Sequence, residues 1–224
     1  MGMDKELTDQ LQEIYARRFD AQHEYRNRVW GVLVKDFFQQ FVNPQDAVLD
    51  LGCGYGQFIN HIQAAAKYAM DLNPHARETL ASDITFFEQD CSLDWPLRDG
   101  TLDLVFSSNF LEHLPAKPLL EKTIQQAARC LKRGAQIVAM GPNIRYVGGA
   151  YWDFWDHHIP LTERSLSELL ETNGFTVESA ISRFLPYTMV NQREMPLAVI
   201  KLYLRLRFAW RFRGGQFLVV GRRR

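Results

Sequence analysis

The sequence predicts an α/β fold in which a largely parallel sheet is covered by helices on both faces. Short apolar runs alternate with amphipathic segments along most of the chain, as they do when strands and helices alternate. The run at 102–107 is mostly apolar, which is typical of a parallel strand buried on both faces. Gly52, Gly54 and Gly56 follow the first apolar run directly and indicate a tight turn out of that strand.

Seven strands are predicted, because seven short apolar runs are bounded by charged or turn-forming residues. They cover residues 47–51, 67–72, 84–89, 102–107, 135–140, 175–182 and 216–221. Each of the first three carries an aspartate at or next to its carboxyl end: Asp50, Asp71 and Asp90. Since parallel strands present their carboxyl ends at one edge, these acids are expected along the edge at which such sheets bind ligands.

The predicted helices connect these strands. They cover residues 4–42 with a break near 20–23, then 57–65, a segment beginning at 73–74, 118–131 and 162–173. In the first one, Val29, Leu33, Phe37 and Phe41 recur at helical spacing. Thr162 begins the last one with a capping-box pattern. We expect residues 1–44 to form an N-terminal helical cover, and 45–224 to form the main domain with an insertion near 186–214.

The segment 197–213 is interpreted as a helix, although its apolar residues from 202 to 212 also fit the period of a strand. A strand of that length would be unusual. The predicted core-facing stripe contains Val199, Leu202, Tyr203, Leu206 and Trp210. The other apolar residues lie among basic ones: Ile200, Leu204, Phe208 and Phe212 among Lys201, Arg205, Arg207 and Arg211. Such a face suits an anionic membrane surface or a lipid-linked substrate, and the alternative is a packing or dimerisation helix.

Charge is balanced overall but unevenly distributed. The chain has 224 residues, with 26 basic and 26 acidic ones. Residues 201–224 carry eight basic and no acidic residues, so that the first 200 residues hold 18 basic (26 − 8) and 26 acidic ones. The three cysteines are far apart and form no CxxC pair, so neither a metal site nor a disulfide is expected. Without a signal-peptide pattern or a long apolar run, a cytoplasmic protein is expected.

The glycine turn and the acids that follow it indicate a nucleoside site. An acid at the position of Asp71 accepts hydrogen bonds from ribose hydroxyls, and one at Asp90 accepts from an adenine amino group. The glycines alone also fit a phosphate-binding nucleotide fold or a purely structural turn. The three acids together favour a crevice for an adenosine-containing ligand.

Several motifs together resemble class I S-adenosylmethionine-dependent methyltransferases. VLDLGCGYG (48–56) is similar to the first motif of that family, Asp71 to the acidic end of the second, and EQDCSLDWPLRDGTLDLVFSSNFLEHL (88–114) to the third and fourth. LKRGAQIVAMGPN (131–143) resembles a further strand motif, with Arg133 and Ala135 as departures. The resemblance covers about residues 45–185 and implies a Rossmann-like, seven-stranded sheet whose last strand is antiparallel.

The resemblance also implies the cofactor and the residues that bind it. S-adenosylmethionine would bind and S-adenosylhomocysteine would be the product. The amino-acid end of the cofactor is expected at Asp50, Gly52, Cys53, Gly54 and Gly56. Ribose is expected at Asp71, with Leu72 beside the adenine; the adenine edge is expected at Asp90 and Cys91, and the methionine arm at Asn109.

The loop at 150–162 is the predicted acceptor side, since it follows the fifth strand at the ligand end of the sheet. His157 and His158 are candidate bases, and either could instead be a structural residue. Aromatic residues of the loop form a substrate wall or core in this interpretation: Trp152, Phe154 and Trp155. His113 is interpreted as scaffolding on the cofactor side, and Glu112 as a surface residue or local cap.

The predicted function is methyl transfer to a small-molecule acceptor. The GPN…YWDFWDHHIPLTERSL…GF pattern resembles methyltransferases of bacterial glycan and lipid-linked saccharide pathways. The alternative is a sensor or scaffold that binds the cofactor without turnover. A nucleic-acid methyltransferase is disfavoured, because no NPPY-like motif is present and the basic charge is confined to one end. Oligomeric state is left open, and contact with an anionic membrane surface through 197–213 is an expectation.

Overall fold

The computed structural model describes residues 23–187 and 194–224, which contain a seven-stranded sheet. Its strands are β1 (Ala47–Leu51), β2 (Ala66–Asp71), β3 (Ile84–Glu88), β4 (Leu102–Ser108), β5 (Leu131–Pro142), β6 (Phe175–Ile181) and β7 (Gln216–Arg223). They are ordered β3-β2-β1-β4-β5-β7-β6 across the sheet. β7 alone runs opposite to the other six strands of this sheet. The predicted seven-stranded α/β fold with an antiparallel last strand is confirmed.

The helices cover both faces of the sheet. They are α1 (His23–Asp36), α2 (Ala76–Thr79), α3 (Lys117–Cys130), α4 (Ile144–Val147), α5 (Glu163–Thr172), α6 (Leu197–Arg205) and α7 (Arg207–Arg213). Short 3-10 helices cover Phe38–Phe41, Leu111–His113 and Gly148–Asp153. The predicted capping box forms at the start of α5, where Thr162 and Ser165 exchange backbone and side-chain hydrogen bonds. None of the described helices is both long and apolar enough to cross a membrane.

The burial of β1 shows how the sheet separates two cores. Val48 packs in a cluster that includes side chains of α1, α6 and α7. Leu49 and Leu51 belong to a second cluster, which includes Ile124 of α3 and Leu170 of α5. Because successive side chains of a strand point to opposite faces, a short apolar strand serves both clusters. The arrangement holds the carboxyl ends of β1 to β5 in fixed positions at one edge.

The helix predicted at 57–65 is wrong. This segment forms successive turns, in which Asn60 bonds back to Gly56 and Ile62 to Phe58. Gly56, directly before this segment, has a φ of +69°, outside the right-handed helical region. The Asn60 side chain also accepts from Ala81 N–H and donates to Thr79 O, which ties the turns to the segment after α2.

The segment 197–213 is helical as predicted, but it is divided into α6 and α7. Leu206 lies between them with φ −92° and ψ 74°, outside helical geometry. The predicted inner stripe is wrong in its first half, since Val199 is 43% exposed and Leu202 55% exposed, while Leu204 is buried. The Trp210 indole donates to the Tyr203 carbonyl across the break, and this folds α7 back toward the core.

The N-terminal helix packs against the segment that precedes β7. The Tyr25 hydroxyl donates to Met195 O at 3.0 Å and accepts from Met195 N at 2.7 Å. His61 bonds to Asn27, which ties α1 to the turns after β1. The part of the predicted first helix before residue 23 lies outside the described residues, and the division of the chain at residue 44 stays a prediction.

Candidate functional site

The glycine turn after β1 is held against β2. Gly52 and Cys53 donate their backbone N–H groups to Met70 O at 2.9 and 3.2 Å. An added Cβ at Gly52 would lie 2.0 Å from the ring of Phe110, in a backbone conformation with φ +69°. Gly52 is therefore needed both for its dihedral angles and for the close approach of the ring. The Cys53 thiol is buried and its pKa is raised by this burial, while the backbone N–H of Cys53 helps to hold the turn.

Asp50 lies buried beneath this turn. Its carboxyl group is 3% exposed and accepts a hydrogen bond from the backbone of Ile59. Burial, only partly offset by that hydrogen bond, raises the pKa of Asp50 to about 8, and the nearby Asp71 adds to the rise. The neutral acid is thus favoured at neutral pH, and Asp50 fixes the shape of the turn from below.

Asp71 lies at the end of β2 and faces the same turn. Its Oδ2 accepts from Gly54 N at 2.8 Å and its Oδ1 from Asn73 N at 2.9 Å. Burial raises its pKa, and the backbone hydrogen bonds from Asn73, Gly54 and Leu72 oppose that rise. A carboxylate has about four acceptor sites, so these three hydrogen bonds leave one site open for a ligand hydroxyl.

Asp90 and Cys91 follow β3 and complete the row of acids along the edge. The Oδ1 of Asp90 accepts from both N and Oγ of Ser92 at 2.8 Å, and this fixes the direction of the carboxylate. The Cys91 thiol is buried 3.4 Å from the Thr123 hydroxyl, and burial raises the pKa of this thiol to about 12. Leu72 is half-buried at the end of β2.

Asn109 has an unusual backbone conformation directly after β4. Its φ of 49° is the single positive value for a non-glycine residue within the described ranges. Its N–H donates to Met140 O at 2.9 Å, and its side chain donates to the Ser108 hydroxyl at 3.0 Å. Strained residues of this kind concentrate at functional sites, which agrees with the position of Asn109 between the acids and the acceptor loop.

A polar cluster lies where the segment after β4 meets the loop after β5. Glu112, His113 and His157 each offer a ligand atom, and these atoms all lie within 4.8 Å of one another. The Nδ1 atom of His113 lies 2.9 Å from Asp156 O and 3.2 Å from Asp156 Oδ2. Ile159 N also donates to Glu112 O and joins the two segments. The surface interpretation of Glu112 is wrong, because this residue is 2% exposed.

Burial determines the protonation of this cluster. Desolvation raises the pKa of Glu112 to about 7, against the opposing effect of His113. Desolvation lowers the pKa of His113, but the hydrogen bond to Asp156 and the charge of Glu112 outweigh it, so the net shift is upward. Perturbed groups of this kind, placed at the ligand edge of the sheet, mark a site for chemistry.

The two histidines of the loop lie in different surroundings. His157 is buried and stacks with Phe154 at a ring-centroid distance of 5.1 Å, whereas His158 is exposed. Trp152 and Trp155 are 57% and 85% exposed, so the core interpretation is wrong for both. The structure therefore brings His157, and not His158, together with the other polar residues.

The family model and the curated relatives that match this chain are described as methyltransferases. A family model described as a methyltransferase domain matches residues 21–180. Ajmaline N-methyltransferase of Rauvolfia serpentina is 34% identical over 107 residues, which are 42% of this chain and 35% of that enzyme. The match to a relative from Encephalitozoon cuniculi spans 62% of that protein at 25% identity. The chain thus matches about a third to three fifths of the length of these curated relatives.

Solved structures share the fold. A SAM-dependent methyltransferase from Archaeoglobus fulgidus superposes with a TM-score of 0.66 at 18% identity, over 92% of this chain and 99% of that one. Geranyl diphosphate C-methyltransferase from Streptomyces coelicolor A3(2), whose structure is a complex with Mg²⁺, geranyl diphosphate and S-adenosyl-L-homocysteine, has a TM-score of 0.59 at 13% identity. That match covers 85% of this chain and 77% of the other. At sequence identities of 18% and 13%, these two matches show a shared fold.

Proposed function

The chain belongs to the methyltransferase domain family, and on that premise we propose that it transfers a methyl group from S-adenosylmethionine to a small-molecule acceptor. The observation that carries the proposal is the edge at the ends of β1 to β3. There the glycine turn lies beside Asp71, with Asp90 at the end of the next strand. S-adenosylhomocysteine is the second product.

These residues would hold the cofactor in one orientation. A ribose hydroxyl would bond to the open acceptor site of Asp71, and Leu72 would lie against the adenine. Asp90 would accept from the adenine amino group through Oδ2, because Ser92 already uses Oδ1. The methionine part would extend over the turn at 52–56 toward Asn109, with the methyl group on the side of the acceptor loop.

The acceptor binds at the polar cluster after β4. In the transfer, the acceptor oxygen donates an electron pair to the methyl carbon while the carbon–sulfur bond breaks and its electron pair returns to sulfur. The hydroxyl proton must leave, and its removal depends on His157 in this proposal. The remaining catalytic effect is positioning, since a displacement at carbon requires the acceptor to be in line with the bond that breaks.

Among small molecules, the proposed methyl acceptor is a saccharide or a lipid-linked intermediate of a bacterial glycan pathway. The exposed Trp152 and Trp155 offer flat apolar faces for a sugar ring beside the site. A groove of about 470 Å³ is lined in part by Arg183, Arg207 and Arg211 and suits an anionic head group. It lies at the ligand end of the sheet, since Arg183 follows β6 and the two other arginines precede β7.

Contact with an anionic membrane surface through α6 and α7 belongs to the same proposal. Phe208 and Phe212 are 64% and 76% exposed, and they lie among the exposed residues Lys201, Arg205, Arg207, Arg211 and Arg213. An apolar face amid basic residues binds an interface through burial of the rings and attraction to anionic lipids. The basic residues 222–224 do not belong to this surface. They lie at the carboxyl end of β7 and directly after it, whereas α6 and α7 precede its amino end.

Turnover with labelled cofactor tests the proposal against a sensor or scaffold role. Protein is incubated with methyl-labelled S-adenosylmethionine and a panel of hydroxylated saccharides and lipid-linked sugars. We expect label in one class of acceptor and a loss of about 10²–10⁴-fold in His157→Ala, typical of general-base assistance. His158→Ala tests the other histidine, and His75→Ala changes an exposed histidine that pairs with Glu78. Cofactor binding without transfer to any acceptor would support the sensor.

A further inference from the structure

Three side chains of metal-ligating type converge at the acceptor side of the site. Glu112 and His113 lie in the 3-10 helix after β4, and His157 lies in the loop after β5. Their ligand atoms lie within 4.8 Å of one another. Metal–ligand bonds of about 2.0–2.2 Å keep two ligands of one ion within ~4.4 Å, so small side-chain rotations suffice to close the site.

The hydrogen bonds of His113 fix which ring nitrogen is available to a metal ion. Its Nδ1 lies 2.9 Å from the backbone carbonyl of Asp156, and a carbonyl oxygen can only accept. Nδ1 therefore carries a proton, and Nε2 of the neutral ring keeps its lone pair. The Asp156 carboxylate, 3.2 Å from the same Nδ1, completes the carboxylate–histidine arrangement that orients histidine ligands of metal ions.

Glu112 supplies the second, independent observation. Its residue is 2% exposed, and its Oε2 has no hydrogen-bond partner among the residues that the structure describes. The carboxylate lies over Gly141 of β5, where an added Cβ would approach Oε2 to 3.2 Å. A buried carboxylate oxygen without a partner is costly, and a bound cation would remove that cost.

We propose that Glu112, His113 and His157 bind a first-row divalent metal ion, such as Zn²⁺ or Mn²⁺, which holds the oxygen of the methyl acceptor. Two imidazoles and one carboxylate suit such ions and leave coordination positions open. The ion lowers the pKa of a bound hydroxyl, whose proton passes to water on the open side of His113. His157 then acts as a ligand, which makes transfer depend on it as proposed above.

The metal site is independent of the proposed function, whereas the role of the ion toward the acceptor rests on it. The proposal departs from the sequence, in which the absence of CxxC pairs predicted no metal site. The competing arrangement is a protonated His113 that faces the Glu112 carboxylate without an ion. Direct metal binding separates the two arrangements.

The experiment titrates Co²⁺ into chelator-treated full-length protein and follows its visible absorption, with Zn²⁺ as competitor. We expect about one Co²⁺ per chain and displacement by Zn²⁺. Glu112→Gln and His157→Asn remove one ligand each and should weaken binding by at least tenfold. Asp156→Asn keeps all three metal ligands but removes the carboxylate that orients His113. The loss of such a supporting group typically lowers metal affinity about 10–100-fold.

His75→Ala is the matched control, because His75 pairs with Glu78 at 2.9 Å on the exposed surface. It should bind Co²⁺ like the wild type. Circular dichroism and S-adenosylhomocysteine binding show whether each variant is folded. Absence of stoichiometric Co²⁺ binding by the wild type, or equal binding by the wild type, Glu112→Gln and His157→Asn, would overturn the metal site. Metal binding without cofactor binding would overturn the proposed function and leave the metal site intact.

Discussion

At the residue scale, burial is the main cause of the raised pKa values of Asp50 and Asp71. Asp50 is buried beneath the glycine turn, and its burial raises its pKa to about 8. Burial also raises the pKa of Asp71, but hydrogen bonds from three backbone N–H groups oppose this rise. The neutral form of Asp50 is therefore favoured and supports the turn, whereas the oxygens of Asp71 accept hydrogen bonds from Gly54 N and Asn73 N.

The protonation of Asp50 makes stability depend on pH. The folded state keeps this proton up to about pH 8, while the unfolded chain loses it near the ordinary value of 3.8. Between these values the folded state binds more protons, so the free energy of unfolding falls as pH rises, by at most ~1.4 kcal/mol per unit. Asp50→Asn keeps an acceptor for Ile59 and loses this dependence. Urea unfolding at several values from pH 5 to 8 checks the difference, and parallel profiles for both proteins would contradict it.

Some site residues were accessible from the sequence and others were not. Asp50, Asp71 and Asp90 could be found because strand ends and acids coincide along the chain. Glu112 and Asp156 could not, since their burial and their contacts with His113 arise only when the segments after β4 and β5 meet. The local signals for this cluster were the adjacent Glu-His pair at 112–113 and the candidate base His157 in the loop after β5.

At the element scale, the segment at 57–65 and the division into α6 and α7 were not predictable. The first depends on Gly56 at positive φ and on side-chain bonds of Asn60 to the segment after α2. The second depends on Leu206, where the helical geometry ends; in α6 before it, Leu204 is buried and Leu202 is exposed. Periodicity identifies a helical segment, but it does not show where a tertiary contact changes its phase.

Membrane contact is a prediction at the scale of α6 and α7. The protein should bind vesicles that contain anionic lipids and dissociate as salt rises, because exposed charges are screened. Arg211→Ala should weaken this binding about fivefold, since a basic residue near an anionic surface contributes ~1 kcal/mol. Arg164→Ala, on α5, removes a side chain that is 81% exposed and should have no effect. Equal sedimentation with neutral and anionic vesicles, or none with either, would contradict membrane contact and leave α6 and α7 with a packing role alone.

At the scale of the whole molecule, the fold places three groups of residues along one edge of the sheet. The ends of β1 to β3 form the proposed cofactor side, and the segments after β4 and β5 form the acceptor side. α6 and α7 lie just before β7, which begins at the same edge because it runs antiparallel. Strand order and the antiparallel last strand were predictable only through family resemblance, since a list of strands does not determine their order.

Calorimetric titration of S-adenosylhomocysteine into the wild type and Asp71→Asn tests the central claim most directly. We expect one site per chain in the wild type. The variant should bind about 10–100-fold more weakly, because hydrogen bonds to a charged group contribute ~1.5–3 kcal/mol. Asp83→Asn is the control, since Asp83 is an exposed acid that pairs with Lys67 before β3. Folded wild-type protein that binds no S-adenosylhomocysteine, or an Asp71→Asn variant that binds it as tightly as the wild type, would contradict the account.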